Sequence, residues 1–194
     1  MKNRIEQAVN ESFVLKEQLL TKSEGISFIQ RVSDLIHSKL AIGGKVFVCG
    51  NGGSAADSQH FAAELVGRFM KERRALPAIA LTTDTSILTA IANDYDYKSI
   101  FSRQIEALCT SDDIVIGIST SGNSANVLEA FRKAHLIGAV TVALLGNTGG
   151  GCLGLADYSY VVASSESARI QEVHILIEHL ICELVEQKIM NDAK

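Results

Sequence analysis

Proline, tryptophan and long apolar runs are scarce in this sequence. The lack of proline and the lack of long apolar runs each exclude a kind of protein segment. The 194 residues include one proline and no tryptophan, so a proline-rich linker is excluded and the chain should be compact. No apolar run approaches the ~20 residues that a membrane span needs, and the N-terminal residues lack the apolar segment of a signal peptide. We therefore expect a cytoplasmic protein with no membrane partner.

The cysteines and the charge balance narrow the class further. Cys49, Cys109, Cys152 and Cys182 form no CxxC pair, which favours reduced, buried thiols over a disulfide framework or a cysteine-rich metal site. Eighteen basic residues against 22 acidic ones give a net charge of -4. An extended basic surface for nucleic acid is therefore not expected. With 47% hydrophobic residues, the chain can bury a substantial core.

Hydrophobic periodicity divides the chain into a helical part and an alternating part. Residues 1–42 carry apolar residues at helical spacings, with a break at 23–25, and we interpret them as a helical pair used in packing or oligomerisation. Residues 43–194 alternate short apolar runs with helical stretches. This pattern predicts five strands, at 45–49, 78–81, 113–118, 139–145 and 158–162, and a long closing helix at 168–190.

Apolar strands that alternate with helices indicate a parallel sheet with helices on both faces. The predicted fold class is α/β, a three-layer sandwich with a five-stranded parallel sheet and N-terminal helices. Residues 1–194 are predicted to form a single domain, with residues 43–194 as its α/β core. In such sheets a ligand binds beyond the carboxyl ends of the strands, near the switch in strand order.

A glycine-rich loop follows the first predicted strand of the core. Asn51-Gly52-Gly53-Ser54 leads into a helix, and the glycines let the backbone approach a ligand closely, while Ser54 is suited to cap the helix. The loop matches neither the dinucleotide-binding glycine pattern nor a Walker A motif. A tight turn without a ligand uses the same residues, so this loop alone leaves both interpretations open.

A serine-rich loop follows the third predicted strand. It carries four hydroxyl residues, Ser119, Thr120, Ser121 and Ser124, and no Lys or Arg. Hydroxyl groups and free N–H groups at a helix N-terminus suit a phosphate monoester held by neutral donors, and the alternative is an ordinary serine-rich helix cap. A third loop, at 146–151, is either a plain turn or a wall of the same site.

Two predicted helices carry a set of ionisable residues. His60 and Glu64 share one helix face because they are four residues apart, and Gln171 and His179 lie about two turns apart on the closing helix. His174 points about 140° away from His179. The set suits a divalent metal ion such as zinc, or a general acid and base, whereas each histidine alone is more often a core residue.

Two further segments carry polar or charged residues. Asn93 and Asp94 follow the helix after the second strand, where they could bind sugar hydroxyls or cap the helix. We interpret the charged run 71–74 as a solvated helix end.

Four motifs together resemble the bacterial phosphoheptose isomerase family of the sugar isomerase (SIS) superfamily. They are residues 49–55, 91–94, 118–127 and 169–174. The resemblance implies a flavodoxin-like sandwich assembled as a homotetramer, with active sites at subunit interfaces. It also implies an aldose–ketose isomerase that converts sedoheptulose 7-phosphate to D-glycero-D-manno-heptose 7-phosphate through a cis-enediolate. That reaction leads to ADP-heptose and supplies the heptose of lipopolysaccharide or capsule.

The resemblance assigns roles to residues of this sequence. It places catalysis on Glu64 and His179. It places metal ligands, with zinc as the expected ion, on His60, Glu64, Gln171 and His179. It places substrate contacts on Asn51, Gly52, Gly53, Ser54, Glu64, Asn93, Asp94, Ser119, Thr120, Ser121, Ser124 and Gln171. Relatives that bind the replication initiator or sense phosphosugars offer a non-enzymatic alternative, but the presence of both Glu64 and His179 favours the enzyme.

Overall fold

A parallel sheet of five strands forms the centre of the structure. The structure is a computed structural model that describes residues 2–21 and 23–192. The strands are β1 (Val46–Gly50), β2 (Ala78–Ala80), β3 (Ile114–Ser119), β4 (Val140–Gly146) and β5 (Tyr158–Val162). They are all parallel and lie in the order β2-β1-β3-β4-β5. This order confirms the predicted α/β fold class and its flavodoxin-like topology.

Helices cover both faces of the sheet. They are α1 (Lys2–Thr21), α2 (Ser23–Ala41), α3 (Gly53–Val66), α4 (Thr85–Asp94), α5 (Ser102–Leu108), α6 (Ala125–Ile137), α7 (Gly150–Leu153) and α8 (Ser167–Asp192). A 3₁₀ turn, Tyr97–Ser99, lies between α4 and α5. The break predicted at 23–25 lies in the first turn of α2, so the predicted position was wrong by about two residues. The single-domain boundary of 1–194 stays a prediction.

The sheet separates two apolar clusters. One cluster joins α1, α2, α3 and α8 to one face of the sheet, and the other joins α5, α6 and α7 to the opposite face. Every residue of β1 and β3 is buried, because both strands are covered on both sides. Residue 79 in the edge strand β2 is exposed. Burial on two faces explains why the central strands read as continuous apolar runs.

The cysteines agree with the expectation of reduced, buried thiols. All four are free and buried. No helix within residues 2–21 and 23–192 is long and apolar enough to span a membrane. Location in the cytoplasm stays a prediction.

Candidate active site

The glycine-rich and serine-rich loops lie side by side at the carboxyl edge of the sheet. β1 leads into the glycine-rich loop and β3 into the serine-rich loop, and these two strands are paired neighbours, with Gly50 opposite Ile118. The chain crosses from β1 to the edge strand β2 and returns to β3 on the other side. This is the switch in strand order at which open α/β sheets bind ligands.

The start of α3 differs from the prediction in one detail. Gly52, not Ser54, is the N-cap residue, and it has no side chain to donate or accept a capping bond. Ser54 is instead buried in the first turn, where its carbonyl accepts a hydrogen bond from the Ser58 hydroxyl (2.7 Å). The expectation that Ser54 caps the helix was therefore wrong, because the chain turns into the helix two residues earlier.

The serine-rich loop is organised by its own hydroxyl groups. The Oγ atoms of Ser119 and Ser124 lie 3.0 Å apart, and the Ser121 hydroxyl accepts a hydrogen bond from the Asn123 N–H (3.2 Å). Ser124 is the N-cap of α6, but its side chain makes no capping bond. N–H groups of the first turn therefore remain available to an anion.

The loop after β4 forms a wall behind the serine-rich loop. The Asn123 side chain accepts a hydrogen bond from the Gly151 N–H (2.9 Å), and the Gly122 carbonyl accepts one from the Cys152 N–H (2.9 Å). Gly122 has a φ of 67° and its α-carbon faces the Gly149 carbonyl so closely that a Cβ would collide with it. Of the two interpretations of residues 146–151, the contacts favour a wall over a plain turn.

The predicted ionisable residues of α3 and α8 come together. The Nε2 atoms of His60 and His179 lie 2.8 Å apart, and Glu64 Oε1 lies 3.7 Å from His60 Nε2. The two imidazole rings meet edge to face, and Phe69 packs against the ring of His179. Helices separated by more than a hundred residues thus bring their functional groups into contact.

Gln171 reaches the same region from α8. Its carboxamide lies directly over Gly53, where a Cβ would collide with it. The amide therefore touches the glycine-rich loop at the start of α3, about two turns before His60. His174 is buried on a different side of α8 and contacts the end of β4, as the helical angle predicted.

The side chains gathered on α3 and α8 are of the types that bind metal ions. Within the described ranges, no three side chains of His, Cys, Asp and Glu are grouped so as to hold a metal ion. The two imidazole nitrogens nevertheless lie 2.8 Å apart, and the Glu64 carboxylate lies 3.7 Å from one of them. Nitrogen and oxygen donors of this kind suit zinc or another borderline divalent ion.

Asn93 and Asp94 end α4 and are exposed. The Asn93 side chain donates a hydrogen bond to the Asp94 carboxylate (2.8 Å). The 3₁₀ turn that follows brings Tyr97 to Asn51 of the glycine-rich loop. Asp94 does not cap the next turn, which Asp96 caps instead.

Two carboxyl groups under the site were missed in the sequence. One carboxylate oxygen of Asp57 and both of Glu178 are buried without a hydrogen-bond partner. Burial, with the nearby charge of Asp57, raises the pKa of Glu178 well above its usual value. The signal was present in the sequence, because residue 178 continues the buried stripe of Ile170, Val173 and Ile177 along α8.

The charged run 71–74 differs from its predicted role. The Arg73 side chain is buried, donates to the carbonyls of Glu64 and Leu65, and lies 3.5 Å from the buried Glu186 carboxylate. The Glu186 carboxylate also accepts three backbone N–H bonds, from residues 69, 70 and 71. This segment is therefore anchored to α8, and the interpretation as a solvated helix end was wrong for Arg73.

This chain is similar in sequence and in fold to known SIS domain proteins. A family model described as "SIS domain" matches residues 14–146. A phosphoheptose isomerase of Aquifex aeolicus is 58% identical over 158 residues, which cover 81% of this chain and 83% of the relative. One of Clostridium acetobutylicum is 48% identical over 192 residues, covering 99% and 98%. The solved phosphoheptose isomerase of Neisseria gonorrhoeae is 42% identical, with a TM-score of 0.89 over 96% of this chain and 98% of that one.

These matches and the sheet order define the class as the SIS domain proteins. Within that class, the identity and coverage of the relatives are decisive. The chain belongs to the phosphoheptose isomerase family, and it is therefore an isomerase. The resemblance drawn from the four motifs is confirmed.

Proposed function

We propose that the chain interconverts sedoheptulose 7-phosphate and D-glycero-D-manno-heptose 7-phosphate, supplying heptose for ADP-heptose and then lipopolysaccharide or capsule. The observation that carries the proposal is the contact of His60 with His179, beside Glu64, on the helix that begins at the glycine-rich loop. That loop follows β1 and the serine-rich loop follows the paired strand β3, at the switch in strand order. Acid–base groups and a phosphate-sized cradle of neutral donors are the two parts that an aldose–ketose isomerase of phosphosugars needs.

The phosphate group binds at the serine-rich loop. Ser119, Thr120, Ser121 and Ser124 offer hydroxyl donors, and the N-terminus of α6 offers backbone N–H groups and the positive end of the helix dipole. The sugar then extends toward α3 and α8 across the glycine-rich loop. Asn93 and Asp94, exposed at the end of α4, face its hydroxyl groups.

Proton transfer is assigned to Glu64 and His179. Glu64 takes the proton from C1 of the ketose and returns it to C2, so that the intermediate is a cis-enediolate. His179 moves the oxygen-bound proton between O1 and O2, so the C1 hydroxyl becomes the carbonyl while the C2 carbonyl becomes a hydroxyl. Glu64 is half-buried, where it is partly shielded from water.

A divalent ion, with zinc expected, would be held by His60, Glu64, Gln171 and His179. When bound there, such an ion would supply Lewis-acid polarisation of the sugar oxygens. The proposal is supported by the convergence of His60, His179 and Glu64 and by the nearby Gln171 amide.

The direct test is turnover of sedoheptulose 7-phosphate with and without a chelator, read as formation of the aldose phosphate. Glu64→Gln should lower kcat by about 10²–10⁴, which is the range that general acid–base catalysis contributes. Glu72→Gln, an exposed glutamate after α3, is the matched control and should keep full activity. No turnover in either condition would refute the isomerase, and normal turnover by Glu64→Gln would refute the assigned base.

We also propose that the chain works as a homotetramer with α1 in the subunit interface. Four apolar residues on α1, Ile5, Val9, Phe13 and Leu20, are between 63% and 73% exposed. The first three are spaced four residues apart and so form one stripe, and an apolar stripe of this kind is typical of a protein interface. Site residues such as Gly52, Gly53 and Ser121 are exposed in the single chain, so a neighbouring subunit would also shield the substrate from water.

The oligomer is tested by light scattering of Phe13→Glu, which should dissociate into smaller species and lose activity with them. Leu136→Glu is the matched control, because Leu136 is 81% exposed on α6, far from α1 in sequence, and outside the stripe. If Phe13→Glu stays tetrameric, α1 is not the interface.

A further inference from the structure

Asn51 and Asn126 join the glycine-rich loop to the first turn of α6. Nδ2 of Asn51 donates to Oδ1 of Asn126 (2.9 Å), and Nδ2 of Asn126 donates back to Oδ1 of Asn51 (2.8 Å). Asn126 is only 2% exposed. A buried carboxamide is costly unless it is hydrogen-bonded, and this reciprocal pair meets that need.

Tyr97 adds a third segment to the pair. Its hydroxyl donates to Oδ1 of Asn51 at 3.1 Å. Tyr97 lies in the 3₁₀ turn that follows Asn93 and Asp94. The Asn51 carboxamide therefore links the glycine-rich loop to two other segments, and each of these follows predicted substrate contacts in the chain.

The hydrogen-bond inventory of Asn51 decides what it can offer a substrate. Its oxygen accepts two hydrogen bonds, one from Asn126 and one from Tyr97, which uses both lone pairs. Its nitrogen donates one hydrogen to Asn126, and no acceptor among the described residues takes the other. The side chain of Asn51 can therefore act toward a substrate only as a donor.

We propose that Asn126 is a positioning residue, which fixes the Asn51 carboxamide so that its one remaining N–H binds an acceptor oxygen of the phosphosugar. Tyr97 is the second positioning residue, because it fills the other lone pair of the Asn51 oxygen. The inference rests on the proposed function, since it takes the substrate contact at Asn51 from that proposal.

A double-mutant cycle separates positioning from simple structural support. If Asn126 acts through Asn51, Asn126→Ala should raise KM for sedoheptulose 7-phosphate about tenfold, which corresponds to the loss of one hydrogen bond, and leave kcat within about twofold. In an Asn51→Ala background the same substitution should then change KM by less than about twofold. Additive effects of the two substitutions on KM would overturn the inference. A fall of kcat at unchanged KM in Asn126→Ala would also overturn it, because that pattern reports loss of correctly folded enzyme.

The tyrosine provides a gentler test that does not disturb a buried residue. Tyr97→Phe removes only the hydroxyl and should raise KM about threefold to tenfold. Tyr95→Phe is the matched control on the same segment, because the Tyr95 ring packs under the Arg103 guanidinium at 4.6 Å and a phenylalanine ring keeps that contact. An unchanged KM in Tyr97→Phe, or an equal rise in Tyr95→Phe, would refute the role of Tyr97.

Turnover by the wild-type enzyme separates a failure of the proposed function from a failure of the positioning role. If it does not turn over sedoheptulose 7-phosphate, the proposed function fails and this inference falls with it. If it turns over the substrate but the cycle is additive, only the positioning role is refuted.

Discussion

Acidification should weaken the fold through one buried histidine. His174 is fully buried on α8, and its Nε2–H donates to the Leu145 carbonyl at the end of β4 (3.0 Å). Burial lowers the pKa of His174 to about 4, and the hydrogen bond to Leu145 opposes this shift only in part. The histidine is therefore neutral in the folded protein at pH 5, whereas in the unfolded chain, with a pKa of about 6.5, it is mostly protonated.

The size of this change in folding free energy follows from the linkage between proton binding and folding. Because the folded-state pKa lies below the unfolded one, the contribution of His174 is complete above about pH 6.5 and is lost as the pH falls toward about 4. At pH 5 the solution is about 1.5 pH units below the pKa of His174 in the unfolded chain. Protonation of residue 174 between pH 7 and pH 5 therefore lowers the free energy of the unfolded chain by about 2 kcal/mol, whereas the folded state gains almost nothing.

Glu178, one turn further along α8, acts in the opposite direction. Burial and the nearby Asp57 raise the pKa of Glu178 well above its usual value. The folded state therefore binds a proton at Glu178 more readily than the unfolded chain does, so this group favours folding as the pH falls from 7 to 5. The wild-type profile alone therefore combines two effects. His174→Gln isolates one of them, since glutamine keeps a donor for Leu145 and does not titrate.

The assay is urea unfolding of wild type and His174→Gln at pH 7 and pH 5, at matched and varied protein concentrations because assembly affects apparent stability. The wild type should lose about 2 kcal/mol more than the variant between the two pH values. Equal losses in both proteins would show that His174 does not titrate differently in the folded and unfolded states, and would refute the reasoning.

Three further substitutions test other parts of the structure. Glu186→Ala should lower the free energy of unfolding by about 3–5 kcal/mol in chemical denaturation, because it leaves a buried arginine and three backbone N–H groups without their acceptor; a loss below about 1 kcal/mol would contradict this. Gly122→Ala should lower the melting temperature and raise KM, because a Cβ there collides with the third loop at a positive φ; wild-type values for both would refute the bracing of the serine-rich loop. Burial alone would raise the pKa of Asp113, but hydrogen bonds from Thr110 and Lys45 outweigh it and hold the pKa below the usual value. Asp113→Asn should therefore cost about 2 kcal/mol at pH 7 and less as the pH falls below about 4, measured by denaturation across that range; a cost that does not change with pH would count against the charged hydrogen bonds.

The fold was largely predictable because its signal is local. β1 and β3 are continuous apolar runs, since both of their faces are covered, and the loops that follow them contain the residues that parallel strands bring to one edge. His60 and Glu64 were predictable as a pair because they lie four residues apart on one helix. The approach of Gln171 and His179 to that pair needed either the fold or the family resemblance.

The features that were missed depend on contacts between distant segments. Asn51 and Asn126 are 75 residues apart, and in the sequence Asn126 is only one more polar residue at a helix start. Arg73 reads as part of a charged run, and only its packing against α8 shows that it is buried. Ser54 has the right composition for a helix cap, but the glycine before it already starts the helix.

The helices that carry the two parts of the site pack on opposite faces of the sheet. The groups assigned to proton transfer stand on α3 and α8, whose apolar residues pack in one cluster, whereas the phosphate cradle stands on α6, which packs in the other. The sheet lies between these two clusters, and the loops that lead into α3 and α6 lie side by side at its carboxyl edge. The two helical layers therefore have separate apolar contacts, so chemistry and phosphate recognition can diverge through substitutions in different clusters.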